Sequence, residues 1–434
     1  MYFVIETKEQ LERLPKADKC FVDLVCLSEE THPVLTAPCV LYYNDFEKGY
    51  IIPIKHSEAF ALDLETVQSF LQSISKVYLL DKKWHSYYLD LPQAVDLYFT
   101  VLDVDNTLKD LQCYTNVHLD FYNKFKYQVE VNTLIPISKH YERCECMFEE
   151  VKPYIEKESN LEWQNKYVEA YKWVEEQGLT LNERVFNKFF EPTWKDRSLK
   201  NNVIYTSYNL YNITSRPTNA FNGINFLAFT KDNGSRAAFI PENDAFVEFD
   251  FDGYHIRLIA NMLNLFLPNN ESIHVILGRE YFKKQELTPE EYQESKKITF
   301  RQLYNGVEEE YKHIELFKEI AEFIEAMWDS YKLVGYVELP NGRKLAKGDF
   351  TPQKLFNYYV QCLETVNNVK KLLALKELFK NKKSKVVLVV YDSILIDYSA
   401  EDEKGFLGKI KAVLEDGNYK VKAQKGDNYD FTQS

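Results

Sequence analysis

The sequence predicts a mixed α/β (α+β) protein, and three observations carry that reading. Phe246–Asn264, FVEFDFDGYHIRLIANMLN, alternates apolar and acidic residues up to Gly253, then places Ile256, Ile259, Ala260 and Leu263 at helical spacing, so a strand hands over to a helix. Lys385–Tyr398, KVVLVVYDSILIDY, is two apolar runs meeting at Tyr391-Asp392-Ser393, the pattern of a hairpin with a carboxylate at its bend. Elsewhere short apolar runs bounded by turn residues alternate with longer periodic, charge-rich stretches. At 434 residues the chain is long enough for two or three domains with sizeable cores.

Residues 1–125 mix short strands and helices. Lys19–Leu27 and Val40–Ile54 read as strands, the second closing a hairpin near Tyr50. Residues 126–200 read as mainly helical: Ser138–Glu158 and Leu161–Gln177 are periodic, Pro153 is expected to kink the first, and Gly178 to stop the second. The stretch Thr214–Pro241 carries the polar groups Arg216, Asn222, Asn225 and Arg236, which on their own read as loop residues satisfying backbone.

Thr288-Pro289-Glu290-Glu291 is a capping box with proline at the first helical position, so a helix starts there and Gly306 can end it. Along it Tyr292, Lys296, Phe300 and Tyr304 recur every four residues and share one slowly drifting face, which offers a cation and aromatic rings together. Val334–Leu345 has an Asn-Gly turn between two strand-like arms. Gln353–Lys380 reads as one long helix carrying the amides Asn357 and Gln361.

The formal charge of −13 argues against nucleic-acid binding unless basic groups cluster locally. They do so at Lys296, Lys297 and Arg301, at Arg343, Lys344 and Lys347, and at Lys380, Lys382, Lys383 and Lys385. Seven cysteines without a regular framework fit a reducing compartment, and Cys144 and Cys146 read as helix residues and not as zinc ligands. No apolar run approaches a membrane span and the start shows no secretion signal, so the expectation is a cytoplasmic protein without a membrane partner.

Two aspartates on adjacent strands can share divalent metal ions, the arrangement used for in-line phosphoryl displacement. In that setting the stretch around Asp250 resembles motif A of the family A (DNA polymerase I-like) DNA polymerases, and that around Asp392 resembles their motif C. The other stretches follow in the family's order. TSRPTNAFNG resembles its T-G-R and asparagine-rich segment, and SRAAF its R-x-A-F segment. YQESKKITFRQLYNG resembles the fingers helix R-x-x-x-K-x-x-x-F-x-x-x-Y-G, VGYVELPNGR the G-Y-V-x-T-x-x-G-R segment, and GDNYDF the closing G-x-N-W/Y segment. The resemblance covers about Thr214 to the C-terminus and extends weakly to the N-terminus.

The resemblance implies a right-hand polymerase of palm, fingers and thumb preceded by an RNase H-like, exonuclease-type domain. Residues 1–125 would be that first domain and 126–434 the polymerase, with thumb 126–200, palm 201–265 and 336–434, and fingers 266–335. It implies template-directed addition of deoxynucleotides to primer-template DNA. Asp250 and Asp392 would be the catalytic ligands of two Mg²⁺ ions, with Mn²⁺ as a substitute and the carbonyl of Phe251 as a further ligand. Lys296, Phe300, Tyr304 and His255 would meet the incoming nucleotide, and Arg216, Asn222, Asn225, Arg236, Asn357 and Gln361 the DNA. The short chain suggests a phage-type enzyme in a bacterial host cytoplasm, and its acidic surface a processivity or replisome partner.

Departures from the family pattern are equally plain. Tyr292 stands at the fingers arginine, Asn305 at the glycine, Gln353 at an arginine, Tyr391 and Ser393 at the histidine and second acid of motif C, and His255 at a glutamate that helps exclude ribose. In the first domain Asp23 is followed by Val25 where an acid belongs, and LLDKKWHSYYL carries His85 in place of an aspartate, so proofreading is not expected. Two other readings fit the same residues: an enzyme that makes RNA or adds nucleotides without a template, and a catalytically weak polymerase-like DNA-binding protein.

Overall fold

The structure, a computed structural model, describes residues 2–15, 17–28, 31–105, 130–190, 199–219, 224–226, 234–346 and 348–431. The chain divides into two compact units, Met1–Lys172 with Glu191–Asn201 and Phe221–Ile224, and Trp173–Phe190 with Asn202–Ala220 and Asn225–Ser434. Among the described residues no helix is long and apolar enough to cross a membrane.

The first unit is built on a six-stranded sheet, β1 (Phe3–Val4), β2 (Lys19–Cys26), β3 (Pro38–Asn44), β4 (Gly49–Pro53), β5 (Lys76–Leu79) and β6 (Ala94–Asp96), in the order β1-β4-β3-β2-β5-β6. β2, β3 and β4 are antiparallel, while β5 and β6 run parallel to β2. Its helices are α1 (Lys8–Glu12), α2 (Leu64–Gln72), α3 (Lys82–Ser86), α4 (Leu97–Asp105) and α5 (Ile137–Val151), and α6 (Leu161–Glu175) follows. The sequence KCFVDLVC of β2 is nearly all apolar because both faces are covered. Cys20, Val22 and Leu24 pack with Val67 and Leu71 of α2, while Phe21 and Val25 pack with Ile137, Cys144 and Phe148 of α5. This packing carries the compact unit past residue 125, where the sequence reading divides the chain. Pro153 terminates α5 and does not kink it: the helix stops at Val151 and a 3₁₀ turn, Lys152–Tyr154, follows, since proline lacks the N–H and its ring crowds the preceding turn. The two-residue strand β8 (Leu199–Lys200) also belongs to this unit's residues, and β7 (Leu179–Leu181) to the second.

In the second unit β7 pairs with β9 (Val203–Ile204) and β12 (Phe239–Ile240), beside the short ladder of β10 (Tyr208–Asn209) and β11 (Thr218–Asn219). The sheet that positions the site is antiparallel throughout, in the order β16-β17-β13-β18, from β13 (Ala245–Phe251), β16 (Lys385–Val390), β17 (Ser393–Tyr398) and β18 (Val421–Gly426). The Asn-Gly turn forms as expected between β14 (Val337–Glu338) and β15 (Lys344–Leu345). After α7 (Glu183–Phe189), the helices are α8 (Tyr254–Met262), α9 (Ile273–Phe282), α10 (Pro289–Asn305), α11 (Glu315–Val334), α12 (Pro352–Leu378) and α13 (Phe406–Glu415). One apolar cluster joins five of them, through Ile256 and Ile259, Ile273 and Leu277, Leu303, Phe317 and Ile320, and Leu355 and Phe356. Burial of such a stripe from each helix is what fixes them, since most helical stability in a folded chain comes from packing an apolar face and not from propensity.

Candidate active site

The junction that the sequence marks at Gly253 is sharp for a steric reason. Gly253 has φ +59°, and a Cβ there would lie 2.1 Å from Ile273 Cγ2, so neither the backbone angle nor the space admits a side chain. The turn, Asp252-Gly253, ends β13 immediately after Asp250 and Phe251 and starts α8 with His255 in its first turn. Register brings the second carboxylate alongside: Asp250 lies opposite Ser393, and the Phe251 N–H donates to the Asp392 carbonyl at 3.0 Å. The hairpin bend is held by its neighbours. Tyr391 sits at φ +53°, an unusual angle for a bulky residue, with the Arg216 guanidinium 3.9 Å from its ring centroid and the Asn368 amide donating to its carbonyl at 3.1 Å.

On α10 the capping box at Thr288 and Glu291 forms as read, and Lys296, Phe300 and Tyr304 turn toward the same cavity. That cavity, of about 410 Å³, gathers Arg216, Asp250, Phe251, His255, Lys296, Phe300, Tyr304 and Asp392. Phe300 is 43% exposed and stacks on Tyr304 at 6.1 Å, while the Lys296 ammonium lies 4.6 Å from the Tyr292 ring centroid. The arrangement gathers a cation, two aromatic rings and two carboxylates around one cavity.

Among the described residues, Arg236, Asn225, Asn357 and Gln361 are not in the lining of this cavity. Arg236 is buried with its guanidinium 4.6 Å from the Tyr429 ring centroid, and Asn225 is exposed. The Asn357 amide donates to the Tyr304 carbonyl at 3.2 Å and accepts from Gln353 at 3.1 Å, and Gln361 is half-buried on the same helix. Asn222 lies outside the described residues.

Four further acidic or basic residues line the cavity without having been assigned from sequence: Asp252, His274, Glu364 and Lys422. The Asp252 carboxylate is buried and caps α9, accepting from the Ile273 N–H at 3.0 Å and the Ser272 hydroxyl at 3.1 Å, and it forms an ion pair with Lys422. Burial opposes its ionisation, but Lys422 and these hydrogen bonds prevail and hold its carboxyl below the usual value. Glu364, on α12, is 1% exposed and joins three elements: Arg216 donates to it from Nε at 3.2 Å and Nη2 at 3.0 Å, and His255 Nε2 bonds its other oxygen. His255 Nδ1 in turn meets the Tyr304 hydroxyl at 2.6 Å. Burial works to raise the Glu364 carboxyl, yet His255 and Arg216 draw it below the ordinary range. Burial pushes the Tyr304 hydroxyl up, so it stays protonated beside Nδ1, while Nε2–H donates to the ionised Glu364 carboxylate. Burial also drives His274 down to about 4.

The donor set suits a hard cation. Two carboxylates and a backbone oxygen are the ligands Mg²⁺ prefers, although no cluster of three or more His, Cys, Asp or Glu side chains is found among the described residues. Asp392 is raised by burial and then by the Glu364 charge, an electrostatic stress that a divalent cation beside it would relieve.

The expected nuclease residues of the first unit also share a cavity, of about 210 Å³, lined in part by Asp23, Asp81, His85 and Arg143. His85 is committed on both nitrogens, accepting at Nε2 from the Leu24 N–H at 3.0 Å and bonding the Asp81 carbonyl from Nδ1 at 2.9 Å. The Asp81 side chain caps α3 through the Trp84 N–H at 3.0 Å, Asp23 accepts from the Cys144 thiol at 3.5 Å, and Val25 is buried among apolar groups.

No protein-family model matches the sequence, and no curated protein matches it. Among solved structures the chain is similar to the POL domain of Pol1 from M. smegmatis in complex with DNA primer-template and dNTP, with 11% identity, a TM-score of 0.67, and 100% of each chain covered. The likeness is one of fold, which is polymerase-like along the whole chain.

Proposed function

We propose that this protein is a template-directed DNA polymerase that adds deoxynucleotides to a primer 3′ end, with the β13–β16–β17–β18 sheet as palm and α9 and α10 as fingers. The observation that carries the reading is the convergence of Asp250, Asp392, Lys296, Phe300 and Tyr304 on one cavity, in a fold similar to a polymerase domain bound to primer-template and dNTP. Asp250, Asp392 and the Phe251 carbonyl would hold two Mg²⁺ ions. When bound, such ions activate an attacking 3′-oxygen and neutralise the leaving oxygen.

The chain's own groups do the rest. Lys296 places a positive charge where a triphosphate would lie, and the exposed face of Phe300 stacks on the nascent base pair. Tyr304 and His255, fixed to one another and to Glu364, form a rigid floor under the sugar. Arg216, Asn222, Asn225, Asn357 and Gln361 are proposed to face the duplex, whereas the burial of Arg236 on Tyr429 fits it better to holding the C-terminal segment. In the first unit the committed His85 and the apolar Val25 support a domain that does not trim primers.

Ser393, which stands where motif C carries its second acid, lies opposite Asp250 with no carboxylate to offer, and this favours the catalytically weak reading as the alternative. Primer extension with deoxynucleotides, with ribonucleotides and without template separates the readings. Template-dependent extension with deoxynucleotides supports the proposal. Extension with ribonucleotides alone, untemplated addition, or DNA binding without turnover would each replace it.

A further inference from the structure

The cavity holds a second ammonium group that the sequence does not mark. β18 pairs with β13 so that Lys422 lies directly opposite Asp250, and its side chain lines the cavity together with Lys296. Its partner Asp252 is buried, with a side chain 1% exposed, whereas the Lys422 side chain is 53% exposed. The pair is therefore lopsided. The carboxylate is committed, with Oδ1 taken by Ser272 and Ile273 at the start of α9, while the ammonium has three donors and one carboxylate oxygen to satisfy. The same ammonium lies near Tyr292, whose phenol, opposed by burial, is nonetheless drawn down by Ser272, Lys422 and Lys296. Tyr292 is the position at which the fingers helix carries no cation of its own.

Two lysines thus approach the Tyr292 phenol from different elements, Lys296 from α10 and Lys422 from β18, and both line the cavity that holds Asp250 and Asp392. We infer that Lys422 is a second polyphosphate-binding residue, supplying from the palm sheet the charge that Tyr292 does not supply from the fingers helix. The inference rests on the polymerase reading for the identity of its ligand, a nucleoside triphosphate, but the anion site can be tested without turnover.

The probe is inorganic tripolyphosphate titrated calorimetrically into the full chain, comparing wild type, Lys422→Met, Lys422→Arg and the double variant Asp252→Asn/Lys422→Met. Loss of one charge-assisted hydrogen bond predicts about tenfold or more weaker binding in Lys422→Met and near-retention in Lys422→Arg. The double variant separates phosphate binding from neutralisation of Asp252, and it leaves no unpaired buried charge should the single variant fold poorly. It should remain as weak as Lys422→Met; recovery to wild-type affinity would assign Lys422 to Asp252 alone and overturn the inference. Unchanged affinity in Lys422→Met, or no binding by the wild type, would overturn it too. A primer-extension measurement beside it keeps the two ideas apart. Lys422-dependent tripolyphosphate binding without extension retains the anion site and removes the polymerase reading, whereas normal extension with a nucleotide KM indifferent to Lys422 does the reverse.

Discussion

Replacing Glu364 tests how much the cavity depends on one buried carboxylate. Glu364 accepts two hydrogen bonds from Arg216 and one from His255, and His255 passes its orientation to Tyr304. The Arg216 side chain is 25% exposed and can turn to water, but the His255 side chain is 11% exposed and is left with an unsatisfied N–H. Breaking a buried pair in this way costs about 3 kcal/mol or somewhat more, so Glu364→Ala should lower stability by that amount. Glu364→Gln should cost about 1–2 kcal/mol. Its amide can accept from Arg216 only by presenting its NH₂ to His255, so Nε2 must then accept and Nδ1 carry the imidazole proton toward the Tyr304 hydroxyl. Chemical denaturation followed by tryptophan fluorescence, with Trp173 and Trp328 reporting on the second unit, measures the loss. The pH dependence has a fixed sign. Glu364 is depressed below 4.5 in the folded state, so its contribution is present in full above 4.5 and disappears as pH falls through the folded value. The gap between wild type and Glu364→Gln should therefore be constant near neutrality and shrink below pH 4.5. Identical midpoints at pH 7, or a gap that widens in acid, would refute the network.

Lys296→Ala should raise the nucleotide KM by about tenfold or more with a smaller effect on primer-template affinity, as steady-state extension at varied nucleotide will show; an unchanged nucleotide dependence removes Lys296 from the site. His255→Glu sets a carboxylate against Glu364 at the proposed sugar floor, so the deoxy-to-ribo preference should shift; an unaltered preference assigns His255 to packing alone. A 3′-labelled single strand incubated with Mg²⁺ or Mn²⁺ should stay intact and a mismatched primer end untrimmed, and trimming abolished by Asp23→Ala would show that other acids complete a nuclease site.

What could be read from the sequence was local. The change of period at Gly253, the capping box at Thr288 and the Asn-Gly turn at Asn341 each depend on a few neighbouring residues, and each forms where expected. The four-residue spacing of Lys296, Phe300 and Tyr304 likewise settles which face they share before any partner is known. Lys422 and Glu364 were hidden because their meaning lies in pairing. Lys422 sits on β18, whose VKAQKG has exposed residues on both faces and so no period-two signal, and only its register with Asp250 brings it to the cavity. Glu364 is three residues beyond Gln361 on α12, an acidic residue on an apolar face that a helical projection could have flagged as a buried charge needing partners. Arg236 has a partner that its own stretch does not reveal: Tyr429, far away in sequence, packs against its guanidinium.

The measurement that tests the central claim most directly is single-nucleotide addition to a primer-template in Mg²⁺ by the wild type, Asp250→Asn and Asp392→Asn, with primer-template binding measured on the same preparations. The account predicts addition by the wild type, none by either variant, and binding largely kept in all three, because each change removes a metal ligand and leaves the duplex contacts in place. Addition at the wild-type rate by either variant would contradict it.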